Sequence, residues 1–343
     1  MSGARGQREL SRRHLVQGAG AVGLGLLAGC GRLPWQSPGQ AQAPNKVPRI
    51  GHVGVGAPGS RNPRALRAGL QELGYVEGQN LTIEWRSTGG NRESVVEAVR
   101  ELVALPVDLM VVTGVNAAEV AQNATRTIPI VIVTLTNPVE SGFVASLARP
   151  GGNITGVGAF ALELSGKQLQ LLAEAIPSVA RVGVLWQASQ PGRSRQLQEV
   201  QEAASALGIE VESLAVGDAQ QLARIIQSGI QARIDALFAL QSNLLVTQLD
   251  RILDWVAEGR LPGMYDDRQW TEAGGLMSYG PSFPAMHRRA AYYVDRMLRG
   301  DTPAELPVER PREFEFVINL RTAQALGLTI PHHVLLQATE VIQ

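Results

Sequence analysis

Val47-Pro48-Arg49-Ile50-Gly51-His52-Val53-Gly54 returns about 130 residues later as Val179-Ala180-Arg181-Val182-Gly183-Val184-Leu185-Trp186. Both are short apolar runs, the pattern of a strand covered on two faces. Working outward, 49–55, 81–85, 108–113 and 128–134 read as strands, with amphipathic helices at 64–73, 92–104 and 117–125 between them. The same order then recurs. Ala206-Leu207-Gly208-Ile209 echoes Glu72-Leu73-Gly74-Tyr75, Ile234-Asp235-Ala236-Leu237-Phe238 echoes Val107-Asp108-Leu109-Met110-Val111, and Leu261-Pro262-Gly263-Met264-Tyr265 echoes Ile128-Pro129-Ile130-Val131-Ile132. So long a period does not suit a solenoid and suits duplicated lobes. The expectation is an α/β protein of two lobes, each a parallel sheet covered by helices, with ligand bound outside the carboxyl ends of the strands.

Composition narrows the function. The 343 residues carry 31 basic and 31 acidic side chains and are 45% apolar, which excludes disorder and leaves no electrostatic footprint for nucleic acid. One cysteine, Cys30, excludes an intramolecular disulfide.

That cysteine lies at the end of an address. Ser11-Arg12-Arg13-His14-Leu15 precedes an apolar stretch of about 13 residues at 16–28, then Gly29-Cys30. A charged start, a short apolar core and small residues at the end make a secretory signal, too short for a permanent membrane helix. The arginine pair resembles the twin-arginine export motif, and Leu27-Ala28-Gly29-Cys30 resembles a lipobox, whose cysteine is lipidated and anchors the mature protein to a membrane. Proline- and glutamine-containing residues 31–48 read as a tether.

Two glycine patterns are set aside. Gly18-Ala19-Gly20-Ala21-Val22-Gly23 falls inside the signal; Gly54-Val55-Gly56-Ala57-Pro58-Gly59 ends before a helix expected to be capped by Asn62 and to begin at Pro63, so its last glycine is not where a dinucleotide fold needs it. No nucleophile elbow, P-loop or HExxH motif is present, and His332-His333 fall on a terminal turn. Neither an enzyme, a cofactor nor a metal site is expected.

Strand ends supply the candidates for binding. Thr113, Gly114 and Asn116 end one strand and open a helix; Thr134, Thr136 and Asn137 do so on its neighbour. In the second lobe Trp186, Gln241, Tyr265 and Asp266 hold equivalent places, with the aromatics as walls for an apolar side chain. Asp266 and Asp267, adjacent in an extended segment, point to opposite faces, so one faces a ligand ammonium or both cap the next helix. With no arginine or lysine at these strand ends, a ligand carboxylate would fall to Thr113, Asn116, Thr136 and nearby backbone N–H groups.

GLQELGYVEGQNLTIEWR (69–86), NPVESGFVASLARPGGNITGV (137–157), GGLMSYG (274–280) and EFEFVINLRTAQALGLTIP (313–331) resemble the ABC-transporter substrate-binding proteins of the tryptophan- and tyrosine-type group. The resemblance implies a periplasmic-binding type I fold with three crossovers, near Phe160, Tyr279 and Glu309, where hinge and cleft meet and Phe160 and Tyr279 join the candidates. It divides the chain into a signal at 1–29, a tether at 30–46, a first lobe at 47–158 plus 280–308, and a second at 159–279 plus 309–343. Asn137, where many relatives carry aspartate, and Thr339, where an acidic residue is usual, depart from the pattern. The function implied is an exported lipoprotein that binds a small ligand, an amino acid among the candidates, between its lobes and presents it to an ABC permease. A sensing module for a membrane receptor and a secreted α/β hydrolase are the alternatives.

Overall fold

A computed structural model describes residues 46–343 except 136, 161–163 and 191; the stretch expected to be an export signal, Cys30 and Thr136 lie outside the described residues. The first lobe alternates β1 (Arg49–Gly54), α1 (Arg61–Glu72), β2 (Thr82–Ser87), α2 (Arg92–Ala104), β3 (Leu109–Thr113), α3 (Val115–Ala124), β4 (Ile130–Leu135) and β5 (Ile154–Gly158). These strands form one parallel sheet in the order β2-β1-β3-β4-β5. Ile50, Leu109, Val111, Val131 and Val133 pack on one face, and Val53, Met110, Val112, Ile130 and Ile132 on the other, which is why these strands read as unbroken apolar runs.

The second lobe holds α4 (Ser165–Ala175), β6 (Arg181–Gln187), α5 (Arg193–Leu207), β7 (Glu210–Val216), α6 (Ala219–Gln227), β8 (Ala236–Ala239), α7 (Asn243–Thr247), α8 (Leu249–Glu258), β9 (Gly263–Tyr265), α9 (Arg268–Glu272) and β10 (Met277–Pro281). The chain next forms α10 (Phe283–Leu298), which packs on α1, β4 and β5 of the first lobe. It then returns as β11 (Phe314–Asn319), α11 (Leu320–Leu326), α12 (His332–Leu335) and β12 (Glu340–Ile342). The second sheet has the order β12-β11-β10-β9-β8-β6-β7. One strand departs from the parallel pattern: β11 runs antiparallel to β10. The topology dictates this: β10 leads out toward the first lobe and β11 comes back from it. The third crossing is tied down where Glu309 donates its N–H to Gly156 O (3.0 Å) and accepts from Gly158 N (3.0 Å).

Helix α1 starts earlier than its Asn62-Pro63 pair suggests: Ser60 is the N-cap, its hydroxyl turned back onto Ala57 O at 2.7 Å. Proline tolerates this place because N–H groups of a first helical turn have no intrahelical partner.

Candidate ligand-binding site

A cavity of about 340 Å³ lies between the carboxyl ends of the two sheets, within the usual range for small-ligand sites of roughly 300–1,000 Å³. From the first lobe it is lined by His52, residues 54–56 and 60–63, Thr113, Gly114, Asn116 and Thr134, and from the second by Gln190, Arg193, Gln241, Asn243, Asp266 and Asp267. Val55, Pro63, Val115, Leu164, Val246, Pro281 and Phe283 give it apolar faces.

The lobes meet around it. Gly114, at φ 86° and the N-cap of α3, faces the Asn243 side chain so closely that a Cβ there would lie 3.5 Å from it. Arg61 on α1 pairs with Glu272 on α9 at 3.2 Å, and Arg195 on α5 with Glu140 beyond β4 at 2.6 Å. The chain is therefore seen with its lobes in contact across the cleft.

Burial sets the electrostatics. Among the described residues, seven buried side-chain polar atoms lack a partner within the protein, and four belong to residues lining this cavity: His52 Nε2, Gln190 Oε1, Arg193 Nε and Asp266 Oδ1. An unmade buried hydrogen bond costs about 1–3 kcal/mol, so such a cluster marks a surface shaped for something polar. Arg193, the first residue of α5, is buried, with one guanidinium nitrogen donating to Gln196 Oε1. Desolvation brings its pKa down to about 10 while Asp266 opposes the shift, so it stays cationic at neutral pH. Asp266 is raised to about 7 by desolvation, with Arg193 pulling it down and Asp267 pushing it up. Asp267 caps α9 by accepting from Gln269 N at 2.8 Å, and burial lifts it to about 6. The pair thus divides its work: Asp267 caps the helix and Asp266 is left to the cavity. Gly280 makes the placement possible, because a Cβ there would fall 1.8 Å from Asp266 O.

On the first-lobe side, His287 Nδ1 faces Phe283 O at 2.8 Å and its Nε2 faces Thr113 Oγ1 at 3.3 Å. A carbonyl only accepts, so Nδ1 carries the proton, Nε2 accepts, and the Thr113 hydroxyl donates to it. The expected role of Thr113 as a donor to a carboxylate is thereby reversed: its oxygen faces the cavity as an acceptor. Burial holds both histidines neutral, His52 down to about 3 and His287 down to about 4.

Of the sequence candidates, the structure gathers Thr113, Gly114, Asn116, Thr134, Gln241 and Asp266 around the cavity. Thr134 sits at φ 69°, where the register of β4 against β5 slips, a strained conformation of the kind that gathers at ligand sites. The other described candidates lie elsewhere. Asn137 closes a local turn, bonding Glu140 through both its amide nitrogen (2.8 Å) and its oxygen (3.2 Å). Phe160 is buried beneath the Arg310 guanidinium, 4.4 Å above its ring. Trp186 packs on the second-lobe core and donates to Ser213 Oγ at 2.9 Å. Tyr265 is core, stacked on Trp270 at 4.9 Å. Tyr279 turns its ring toward Phe314 and Phe316, and its carbonyl accepts at 2.6 Å from Gln168, a residue of the cavity lining. Aromatic walls from Trp186 and Tyr265 are thus replaced by Phe283 and aliphatic side chains. Arg193, Gln190, His52 and His287 were not among the candidates. Among the described residues, no group of three or more metal-ligating side chains gathers, and no helix is long and apolar enough to cross a membrane.

Two α/β lobes joined by three crossings, with a cavity between their strand ends, have the periplasmic-binding type I fold. Residues 60–342 match the family model for ABC transporter substrate binding proteins, and the chain belongs to that family. The family is extracytoplasmic; its members are binding proteins rather than enzymes, take small ligands and work with ABC permeases. A tyrosine-binding protein of Clostridioides difficile (strain R20291) is 24% identical over 315 residues, 90% of each chain. The crystal structure of a conserved domain protein of Vibrio cholerae superposes with a TM-score of 0.80 at 26% identity, covering 86% of this chain and 100% of that one. The ABC domain of Streptococcus pneumonia in complex with L-Trp gives 0.79 at 27% identity, covering 86% and 99%.

Proposed function

We propose that this chain is a membrane-tethered receptor for an aromatic α-amino acid, which it carries to an ABC permease. The observation that supports this most is the buried Arg193 and Asp266 on one wall of the cavity, each with a polar atom unpartnered within the protein. A cation and a carboxylate side by side complement the two ends of a zwitterion, whose desolvation is offset only by charged partners. The apolar faces suit a large side chain, and the relatives named for tyrosine and solved with L-Trp point the same way. Charged contacts from one lobe and further contacts from the other make the closed form the one ligand favours, and the permease reads that form. Lipidation of Cys30 would hold the protein at the membrane, with residues 31–46 as its tether. No catalytic role is proposed.

Mass spectrometry of small molecules released from the purified protein, followed by calorimetry with those compounds, tests the reading. An aromatic amino acid is expected, and the matching amine lacking a carboxylate should bind at least about a hundredfold more weakly. Equal binding of amine and amino acid would remove the zwitterion reading. The tether is tested separately by Cys30→Ser, which should release the protein from the membrane fraction or leave an uncleaved precursor.

A further inference from the structure

Resting on the amino-acid reading, we infer that His52 and Thr113, the latter set by His287, form a first-lobe subsite for the polar hydrogen-bond donor at the far end of the ligand's aromatic side chain. They would make the site selective for a phenol O–H or indole N–H over an unsubstituted ring.

The first reason is the repeat. Aligning 47–54 with 179–186 sets His52 opposite Val184 and Gly54 opposite Trp186. Val184 is fully buried in the second-lobe core, as an interior strand position requires. His52 is equally buried, at 2% exposure, yet it belongs to the cavity lining and carries a ring nitrogen with no partner within the protein. A buried imidazole where the sister lobe uses valine is costly unless a partner arrives. Gly54 keeps this region open, since a Cβ there would lie 3.0 Å from His52 Cε1.

The second reason is polarity. The chain Phe283 O, His287, Thr113 fixes where each proton lies. Thr113 therefore turns lone pairs toward the cavity and accepts from a ligand donor. No fixed charge sits on His52, Thr113 or His287, so a charged end of the ligand gains more beside Arg193 and Asp266 in the other lobe. A neutral donor is what remains for the first-lobe subsite. Phe283, lining the same cavity, supplies an apolar neighbour for the ring that carries it.

Calorimetry with tyrosine, tryptophan and phenylalanine tests this in the wild-type protein, without any variant that must fold. At least one of tyrosine and tryptophan should bind about ten- to a hundredfold more tightly than phenylalanine, which leaves the polar atoms unpaired. Thr113→Val and His52→Phe should each shrink that gap by weakening the favoured ligand while phenylalanine changes little. His287→Leu, which frees the Thr113 hydroxyl to rotate, should also shrink the gap, whereas a merely structural role would weaken all three ligands alike. Thr113→Ser should restore the gap, and thermal melts check folding. If wild-type protein binds phenylalanine as tightly as the other two, the subsite is overturned and the amino-acid reading stands. The subsite also falls if folded variants keep the full gap. If none of the three binds, both readings fall together.

Discussion

The carboxyl ends of β1, β3 and β4 bring His52, Thr113 and Thr134 to the cavity, whereas the chain beyond β6 and β9 brings Arg193 and Asp266. The two sheets therefore present different chemistry to the cavity: neutral polar groups at the strand ends of the first lobe, where Arg61 is engaged by Glu272, and the buried charges Arg193 and Asp266 beyond the strands of the second. The contrast extends to pH. His52 and His287 are held below the ordinary imidazole value by burial, so the unfolded chain binds protons there that the folded chain refuses. The stability this represents is complete above about pH 6.5 and is lost as pH falls through about 4 and 3. Asp266 and Asp267 are raised instead, so the folded chain holds protons the unfolded chain has released. Their part is present below about pH 4 and is lost as pH rises through about 6 and 7. The lobes thus pull the pH profile in opposite directions over the same range.

The largest effect is expected at Arg193. Arg193→Met removes the cation for the ligand carboxylate and leaves Asp266 without its opposing charge. Truncating one partner of a buried charge pair costs about 2–5 kcal/mol, so affinity should fall by two decades or more in calorimetry. A smaller loss than in a first-lobe variant such as Thr113→Val would reverse the assignment of charges to the second lobe.

Asp266→Asn comes next, with a loss of about one to two decades near pH 7.5. Wild-type binding of an ammonium must ionise Asp266, whose pKa near 7 before binding means that below that pH a proton is released. Affinity should therefore rise with pH by up to about one decade per unit until pH 7 is passed, and Asp266→Asn should flatten the slope. Calorimetry in two buffers of different ionisation enthalpy counts the proton. A wild-type affinity that is level from pH 5.5 to 8 would mean Asp266 does not meet the ammonium. In melts without ligand, Asp266→Asn should also lose part of the decline toward high pH, leaving the histidine-driven loss in acid more visible.

How far this contrast could be read in advance depended on side-chain direction. The strands themselves were legible as β-branched runs, since a strand covered on both faces has little alternative composition. The candidates failed where neighbours were both assigned to the cleft. Successive side chains in an extended segment point to opposite faces. If Asp266 faces the cavity, Tyr265 belongs to the core, where it stacks on Trp270. Arg193 is not at a strand end: it lies beyond β6, at the head of α5. One signal was available: a cation at a helix N-terminus opposes the helix dipole, so Arg193 there, with no acidic residue in the first turn, called for a reason. His287 left no comparable mark, because nothing local to α10 says that its ring reaches Thr113 on another element.

The smallest effect separates the cavity from its rim. Arg195 and Glu140 join the lobes at 2.6 Å, with about half of each side chain exposed. Exposed pairs of this kind are worth about 0–1 kcal/mol. Glu140→Gln should therefore weaken ligand binding by no more than about fivefold, and less at high salt, because screening at 0.15 M acts over about 8 Å. Neither Glu140 nor Arg195 lines the cavity, so any loss reports on closure rather than on contact with the ligand. Titrations at two ionic strengths give the answer. A loss above about tenfold that persists in salt would place the energy of closure at the rim. In that event the buried charges of the second lobe would hold the ligand without drawing the lobes together, and the division of work between the lobes would concern recognition alone.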